Sequence, residues 1–225
     1  LLLRGGTTNM THRDVGYGKN PAAALAEIMR RTTPWNTTQR DVLCLRGDCL
    51  PGPQYGFFFG THALARAIRH ARRTLHRRGI TGTMGEAWLL GSTLVALLRG
   101  KAHGHPLLDP TPLHYTRNGL PYQSSHVLLM ATTLNTLVLG LRPARPQAGA
   151  FGCVSIHTPM RGLMRELPSL WRGTPNQSEG SLIRWCDRTV TLGLESEVTL
   201  DGELFATTTQ TPLTLSIDTP ITFLS

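Results

Sequence analysis

Apolar and polar positions alternate along Val198-Thr199-Leu200, break at Asp201-Gly202, and turn apolar again after Glu203 with Leu204 and Phe205. That pattern predicts two strands joined by a tight turn, because Gly accepts the positive φ that a primed turn demands. The same reading places strands over Asp41–Arg46, Tyr55–Phe59, Pro112–Arg117, Ser125–Thr133, Phe151–His157, Ser181–Cys186 and Thr189–Leu194. Glu197–Leu200, Leu204–Thr208, Leu213–Ile217 and Ile221–Leu224 continue the series, with Thr133–Leu139 and Leu1–Leu3 as further candidates. Helical periodicity governs the rest. Asn20 caps and Pro21 opens a helix through about Arg31, with Ala24, Leu25, Ile28 and Met29 on its apolar face. From His62 to Arg78, Leu64, Ala67, Ile68, Ala71 and Leu75 share one side, Arg66, Arg69, Arg73 and Arg77 form a basic flank, and Gly79 ends the helix. Glu86–Arg99 and Pro159–Trp171 are the remaining helices.

Composition changes the picture only slightly. The chain of 225 residues has 40% hydrophobic and 16% charged residues, those of a globular protein able to bury a core. No apolar run reaches the length of a membrane span, since Ala87–Leu98 is interrupted by Gly91, Ser92 and Thr93. Cys44, Cys49, Cys153 and Cys186 show neither a Cys-x-x-Cys pair nor zinc spacing, and read as reduced structural thiols of a cytoplasmic protein. His103-Gly104-His105 has no third ligand nearby in sequence, and Trp88 and Trp171 read as core residues of their helices.

Charge is more informative. The net +9 is concentrated between Asp48 and Glu166, where Glu86 and Asp109 are the sole intervening acids. Such a field attracts anions, whether nucleotide, nucleic acid or an acidic lipid surface. A nucleic-acid binder would need interleaved exposed aromatics or a recognised motif, and the chain has neither.

The candidate chemistry lies at the two ends. Gly5-Gly6-Thr7-Thr8-Asn9 suits a loop that brings backbone N–H groups against phosphate oxygens, although Thr7 and Asn9 equally suit helix capping. Glu203, beside the Asp201-Gly202 turn, offers a carboxylate, although a plain surface hairpin would read the same way. Glycine loop, then strand–Gly60–helix, then Leu200-Asp201-Gly202-Glu203 together resemble the diacylglycerol kinase and sphingosine kinase-like lipid kinase family. The resemblance runs through the chain in order and is strongest at its ends. It implies that residues 1–36 are the end of a nucleotide-binding α/β domain, the N-terminal half being missing. Residues 37–225 would be a mainly antiparallel, β-sandwich-like lipid-substrate domain with helices. Gly5, Gly6, Thr7, Thr8 and Asn9 would line the ATP site, with Glu203 as general base toward a lipid hydroxyl and Asp201 orienting it. The implied reaction is transfer of the γ-phosphate of ATP, with Mg²⁺, to diacylglycerol or a related lipid alcohol by a cytoplasmic, peripherally membrane-associated enzyme without a nucleic-acid partner.

Three positions depart from the family pattern. Its Gly-Gly-Asp-Gly motif would lie upstream of Leu1, so residues 1–225 alone are expected to be inactive. Its Gly-x-Asp-Ala acid is replaced in Gly60-Thr61-His62-Ala63, and a His cannot serve Mg²⁺ as a carboxylate does. Its structural-metal loop corresponds to Pro143–Gly149, which has no acid, and no metal ligands are expected there. The lost acids motivate an alternative, a catalytically silent member that binds lipid or nucleotide without turnover.

Overall fold

The computed structural model describes residues 11, 14, 21–30, 36–78, 108–137, 141–143, 148–157, 168, 170 and 180–224. Helices α1 (Pro21–Arg30) and α2 (Ala63–Arg78) accompany strands β1 (Thr37–Arg46), β2 (Gln54–Gly56), β3 (Phe58–Thr61), β4 (Thr111–Arg117), β5 (Leu120–Thr132) and β6 (Phe151–His157). The chain continues through β7 (Leu182–Asp187), β8 (Thr189–Gly193), β9 (Glu197–Leu200), β10 (Glu203–Ala206) and β11 (Leu213–Leu224). All pair antiparallel within one eleven-stranded sheet of order β10-β9-β3-β5-β4-β8-β11-β1-β2, with β6 between β5 and β7. Because β2 runs into β3 through Phe57, that order returns on itself. The sheet is a half-barrel, closed at the Phe57 bend.

The mainly antiparallel character agrees with the sequence pattern, but the sandwich does not. Strand β5 is 13 residues long and takes β4 along its first half and β6 along its second, which keeps all the strands in one hydrogen-bonded sheet. Where β3, β5 and β6 meet, both faces are buried. Phe59, Leu129, Ala131, Phe151 and Cys153 join the core inside the curl, with Tyr115, Trp185, Val198 and Leu200. Phe58, Val127, Met130, Val154 and Ile156 pack on the opposite face with Ala63 and Leu64 of α2. Burial on both faces explains the unbroken apolar run from Val127 to Ala131, which shows no period-two alternation.

Several boundaries move for local reasons. Strand β1 starts at Thr37 rather than Asp41, because the polar Thr37–Arg40 stretch pairs with Ile221–Leu224. Leu213–Ile217 and Ile221–Leu224 are one strand, since a bulge sets Thr219 and Pro220 against the single residue Asp41 and asks no N–H of the proline. Tyr55–Phe59 is two strands, broken at Phe57. Residues 133–137 are not a strand: Leu134 N–H turns back to Thr132 Oγ1 at 3.1 Å, and Leu137 N–H bonds the Leu141 carbonyl at 2.8 Å. Met29, expected on the apolar face of α1, is 81% exposed.

The predicted Leu1–Leu3 strand, the Gly5–Asn9 loop and the Glu86–Arg99 helix lie outside the described residues. So does Pro159–Trp171 apart from Pro168 and Leu170, which are helical. None of the four cysteines forms a disulfide. No helix among the described residues is long and apolar enough to cross a membrane.

Candidate active site

Leu200 pairs with Glu203 across the predicted hairpin, and the turn between them is primed, with φ of 48° at Asp201 and 97° at Gly202. Asp tolerates the left-handed region because its short side chain bonds locally. Here the carboxylate also reaches across to the half-barrel. Asp201 Oδ2 accepts the Phe57 N–H at 3.0 Å and Oδ1 accepts the Phe58 N–H at 2.9 Å, while the Asp201 N–H donates to the Phe58 carbonyl at 2.8 Å.

These bonds account for the break between β2 and β3. The Phe57 carbonyl accepts from Thr132 Oγ1 at 2.8 Å and from the Thr133 N–H at 3.2 Å. Both polar groups of Phe57 are therefore satisfied at the bend. Gly56 makes the approach possible. A Cβ there would lie 2.8 Å from Asp201 Oδ2 and 2.8 Å from Leu200 Cγ. Although the turn is exposed, burial raises the Asp201 pKa, the two N–H donors oppose the rise, and the Glu203 charge adds to it. Glu203 itself is exposed at the start of β10.

His62, expected from the resemblance to stand in place of an acid, opens α2 from the core. It is fully buried, has φ of 48°, and its carbonyl accepts the Arg66 N–H at 2.9 Å to open α2. Nδ1 meets Thr61 Oγ1 at 2.7 Å, and Nε2 has no hydrogen-bond partner among the described residues. Burial first, and the Arg66 charge second, lower its pKa to about 4, so the ring is neutral at physiological pH. A second buried imidazole lies nearby. His126 sits between Ser124 Oγ (2.8 Å from Nε2) and Ser155 Oγ (2.5 Å from Nδ1), and its ring centroid is 4.1 Å from that of His157. Burial, then His157 and His62, lower its pKa to about 3. Burial, then Arg117, lowers that of His157.

Among the described residues no group of three His, Cys, Asp or Glu is arranged to hold a metal. Both Asp201 oxygens are engaged by backbone N–H groups, and His62 offers nitrogen, so the described residues do not fit an Mg²⁺ site. Of the acid-free Pro143–Gly149 stretch, Gly149 N–H is held by Asp41 Oδ2 at 2.8 Å.

The structure adds a residue with no motif around it. The Asp14 carboxylate, 2% exposed, bonds Arg40 Nε at 2.6 Å through Oδ2 and accepts the Asn135 and Thr136 N–H groups at 2.9 and 3.1 Å through Oδ1. Asp14 is the one acid between Leu1 and Glu27, which is the trace it leaves in the sequence. The basic flank of α2 is partly tied down as well: Arg66 donates to the Asp109 carbonyl and Thr111 Oγ1, and Arg69 pairs with Glu197.

A diacylglycerol kinase structure from Bacillus anthracis strain Sterne superposes on 96% of this chain and 62% of its own, with TM-score 0.55 and 16% identity. The fold is that of diacylglycerol kinases. Two further structures from that organism, each provisionally named a diacylglycerol kinase, match with TM-scores of 0.60 and 0.58 at 17% identity. They cover 95% of this chain and 63% and 64% of theirs, so the chain spans a little under two thirds of their length. No protein-family profile and no curated protein matches the sequence. In that fold, Asp201 and Glu203 sit on one hairpin clamped to the β2–β3 bend. The other half of the expected site, Gly5–Asn9, lies outside the described residues.

Proposed function

We propose that this chain is part of a lipid kinase that transfers the γ-phosphate of ATP to the hydroxyl of diacylglycerol or a related lipid alcohol. The observation that carries the proposal is the clamped hairpin: a turn held by three hydrogen bonds presents an exposed Glu203, in a fold shared with diacylglycerol kinases. Residues 37–225 would be the lipid-substrate domain, and residues 1–36 would belong to the nucleotide-binding domain, with Gly5, Gly6, Thr7, Thr8 and Asn9 against the phosphates.

Glu203 takes the proton of the lipid hydroxyl as its oxygen attacks the γ-phosphorus. The new O–P bond forms, the bond between the γ-phosphorus and the β,γ-bridging oxygen breaks, and ADP leaves. Asp201 does not touch substrate in this scheme. Its anchored carboxylate fixes the turn, so that Glu203 is held rather than searching, and positioning is the larger part of catalysis in phosphoryl transfer. Mg²⁺ would accompany the nucleotide, with ligands beyond the residues described, and no step above runs through it. Peripheral association with a membrane follows from a substrate that stays in the bilayer.

Full-length protein assayed with diacylglycerol vesicles and ATP should transfer phosphate, and Glu203→Gln should reduce kcat by about 100-fold or more, the range of a lost general base. Wild-type turnover in the Gln variant would remove Glu203 from the mechanism. ATP binding without lipid-dependent turnover in the wild type would instead show a silent relative.

A further inference from the structure

The β4–β5 hairpin carries side chains at its tip that the core does not need. Its strands join at Asn118 and Gly119, with φ of 51° and 76°, and close on the pair Arg117–Leu120. Leu120 is 60% exposed, and Pro121 beside it is exposed too. Register places Arg117, Leu120 and Tyr122 on one face of the ribbon. The Arg117 guanidinium lies 4.4 Å from the centre of the Tyr122 ring and donates to its hydroxyl at 3.1 Å, while Tyr115 stacks on that ring. β8 meets β4 only at His114 and Tyr115, and β6 meets β5 only from His126 onward. Among the described residues, 116–125 therefore have no further strand beside them, and Pro121 suits such an edge because it has no N–H to pair.

A single exposed leucine needs no explanation. This one stands on a braced support. Asp187, at the end of β7, accepts the Asn118 N–H through Oδ2 at 2.8 Å and the Arg188 N–H through Oδ1 at 2.9 Å. The brace fixes the tip against the β7–β8 turn and brings the exposed Arg188 alongside it. Acids at the turn are already engaged: Asp187 by those N–H groups, and Asp218, which follows Ile217 against the Arg188 carbonyl, by Arg46 at 3.3 Å. A rigid apolar point with an aromatic ring behind it and guanidinium groups around it is thus left facing solvent.

We propose that this tip docks on an anionic lipid bilayer, with Leu120 and Pro121 entering the acyl boundary, Tyr122 at headgroup level, and Arg117 and Arg188 among the lipid phosphates. Aromatic rings favour that level, and each cation gains from the surface potential of an anionic leaflet. The net +9 of the chain acts in the same direction. A protein partner fits less well, because a stable protein interface takes about 800 Å² from each side, whereas a bilayer accepts a few inserted side chains. The docking surface rests on the lipid-kinase reading for its purpose, since the substrate of that reaction stays in the bilayer.

The test is co-sedimentation of full-length protein with phosphatidylcholine vesicles, with and without phosphatidylserine, in the absence of nucleotide. Wild type should bind the phosphatidylserine vesicles, and Leu120→Ser should lower that partition about tenfold. Arg188→Gln should lower it about fivefold, with no change on phosphatidylcholine alone. Ile221→Ser, at an exposed apolar position on β11, should bind as wild type does. Leu120→Trp should keep binding and give indole emission that acyl-brominated lipids quench beyond the wild-type level. All four positions are exposed, so unchanged melting temperatures check the fold. Wild-type partition in both Leu120→Ser and Arg188→Gln, no extra quenching in Leu120→Trp, or no binding of wild type would each overturn the proposal. So would an equal loss in Ile221→Ser, which would show general apolar adhesion. Transfer from ATP to diacylglycerol in detergent micelles is measured separately. Its absence beside intact, tip-dependent vesicle binding would remove the kinase reading and leave the docking surface standing.

Discussion

Acidification should destabilise this protein through its buried imidazoles, and the size of the effect can be worked out. His62 and His126 are fully buried, and burial lowers their pKa values to about 4 and about 3 from the ordinary imidazole value of 6.5. For a base whose folded pKa is depressed, the unfolded chain binds the proton first. Stability is complete above the unfolded pKa and falls as pH drops toward the folded value. Between pH 7.5 and 5 each imidazole gains roughly 1.5 units of protonation preference in the unfolded state, or about 2 kcal/mol at about 1.4 kcal/mol per unit. The pair therefore contributes a loss of about 4 kcal/mol, a large share of the roughly 5–15 kcal/mol by which domains are stable. His157 adds in the same direction.

Among the described residues, the groups facing His126 are His157, His62, Ser124, Ser155 and the Tyr115 ring, none of them an acid that would oppose the effect. Urea unfolding followed by tryptophan fluorescence from pH 7.5 to 5, for wild type and His126→Gln, isolates one contribution. Gln can keep bonds to both serines but cannot titrate. The variant should lose about 2 kcal/mol less than wild type over that interval. Identical pH slopes would refute the reasoning, since they would mean that His126 is protonated as easily folded as unfolded.

Two further predictions concern the clamp and the core. Gly56→Ala forces a Cβ against Asp201 Oδ2 and Leu200, for a cost of about 1–3 kcal/mol by overpacking, and Asp201→Ala strands the Phe57 and Phe58 N–H groups for a similar cost. Because both act on one contact, denaturant unfolding of the double variant should show less than the summed loss, and strict additivity would disprove the coupling. Phe59→Ala, at a fully buried position in the inner core, should cost about 3–5 kcal/mol, and a change below about 1 kcal/mol would show that the site is not packed as described.

What could be read from the chain was mostly local. The Asp201–Gly202 hairpin, β6 and β9 are where the residue pattern places them, because turn chemistry and alternation are short-range signals. Ser125 proved too late a start for β5, and the missing cue was also local: Asn118-Gly119, with φ of 51° and 76°, joins β4 to β5. The break at Phe57 could not be read in that way. It depends on a carboxylate 144 positions away in sequence, and on a glycine that leaves room for it and for Leu200. The same holds for the candidate site and for the buried ion pair. Glu203 announces itself beside a turn, whereas Asp14 has meaning only once β1 and the 135–136 turn are brought to it. The sequence marked His62 as a departure from the resemblance, but its burial and neutral ring follow from three-dimensional packing alone.

The pairing of β1 with β11 has a consequence for how this polypeptide is made. Thr37 meets Leu224 and Arg46 meets Thr214, so a ribosome that has long since released β1 must add everything from β2 to β11 before that strand finds its principal neighbour. Until then Val42, Leu43, Cys44 and Leu45 have only three residues of β2 beside them, and such late, long-range closure is slow. The nascent chain therefore carries an adhesive β1 ribbon until β11 has been made, the interval in which a chaperone would bind and a crowded, overexpressing cell would lose material to inclusion bodies.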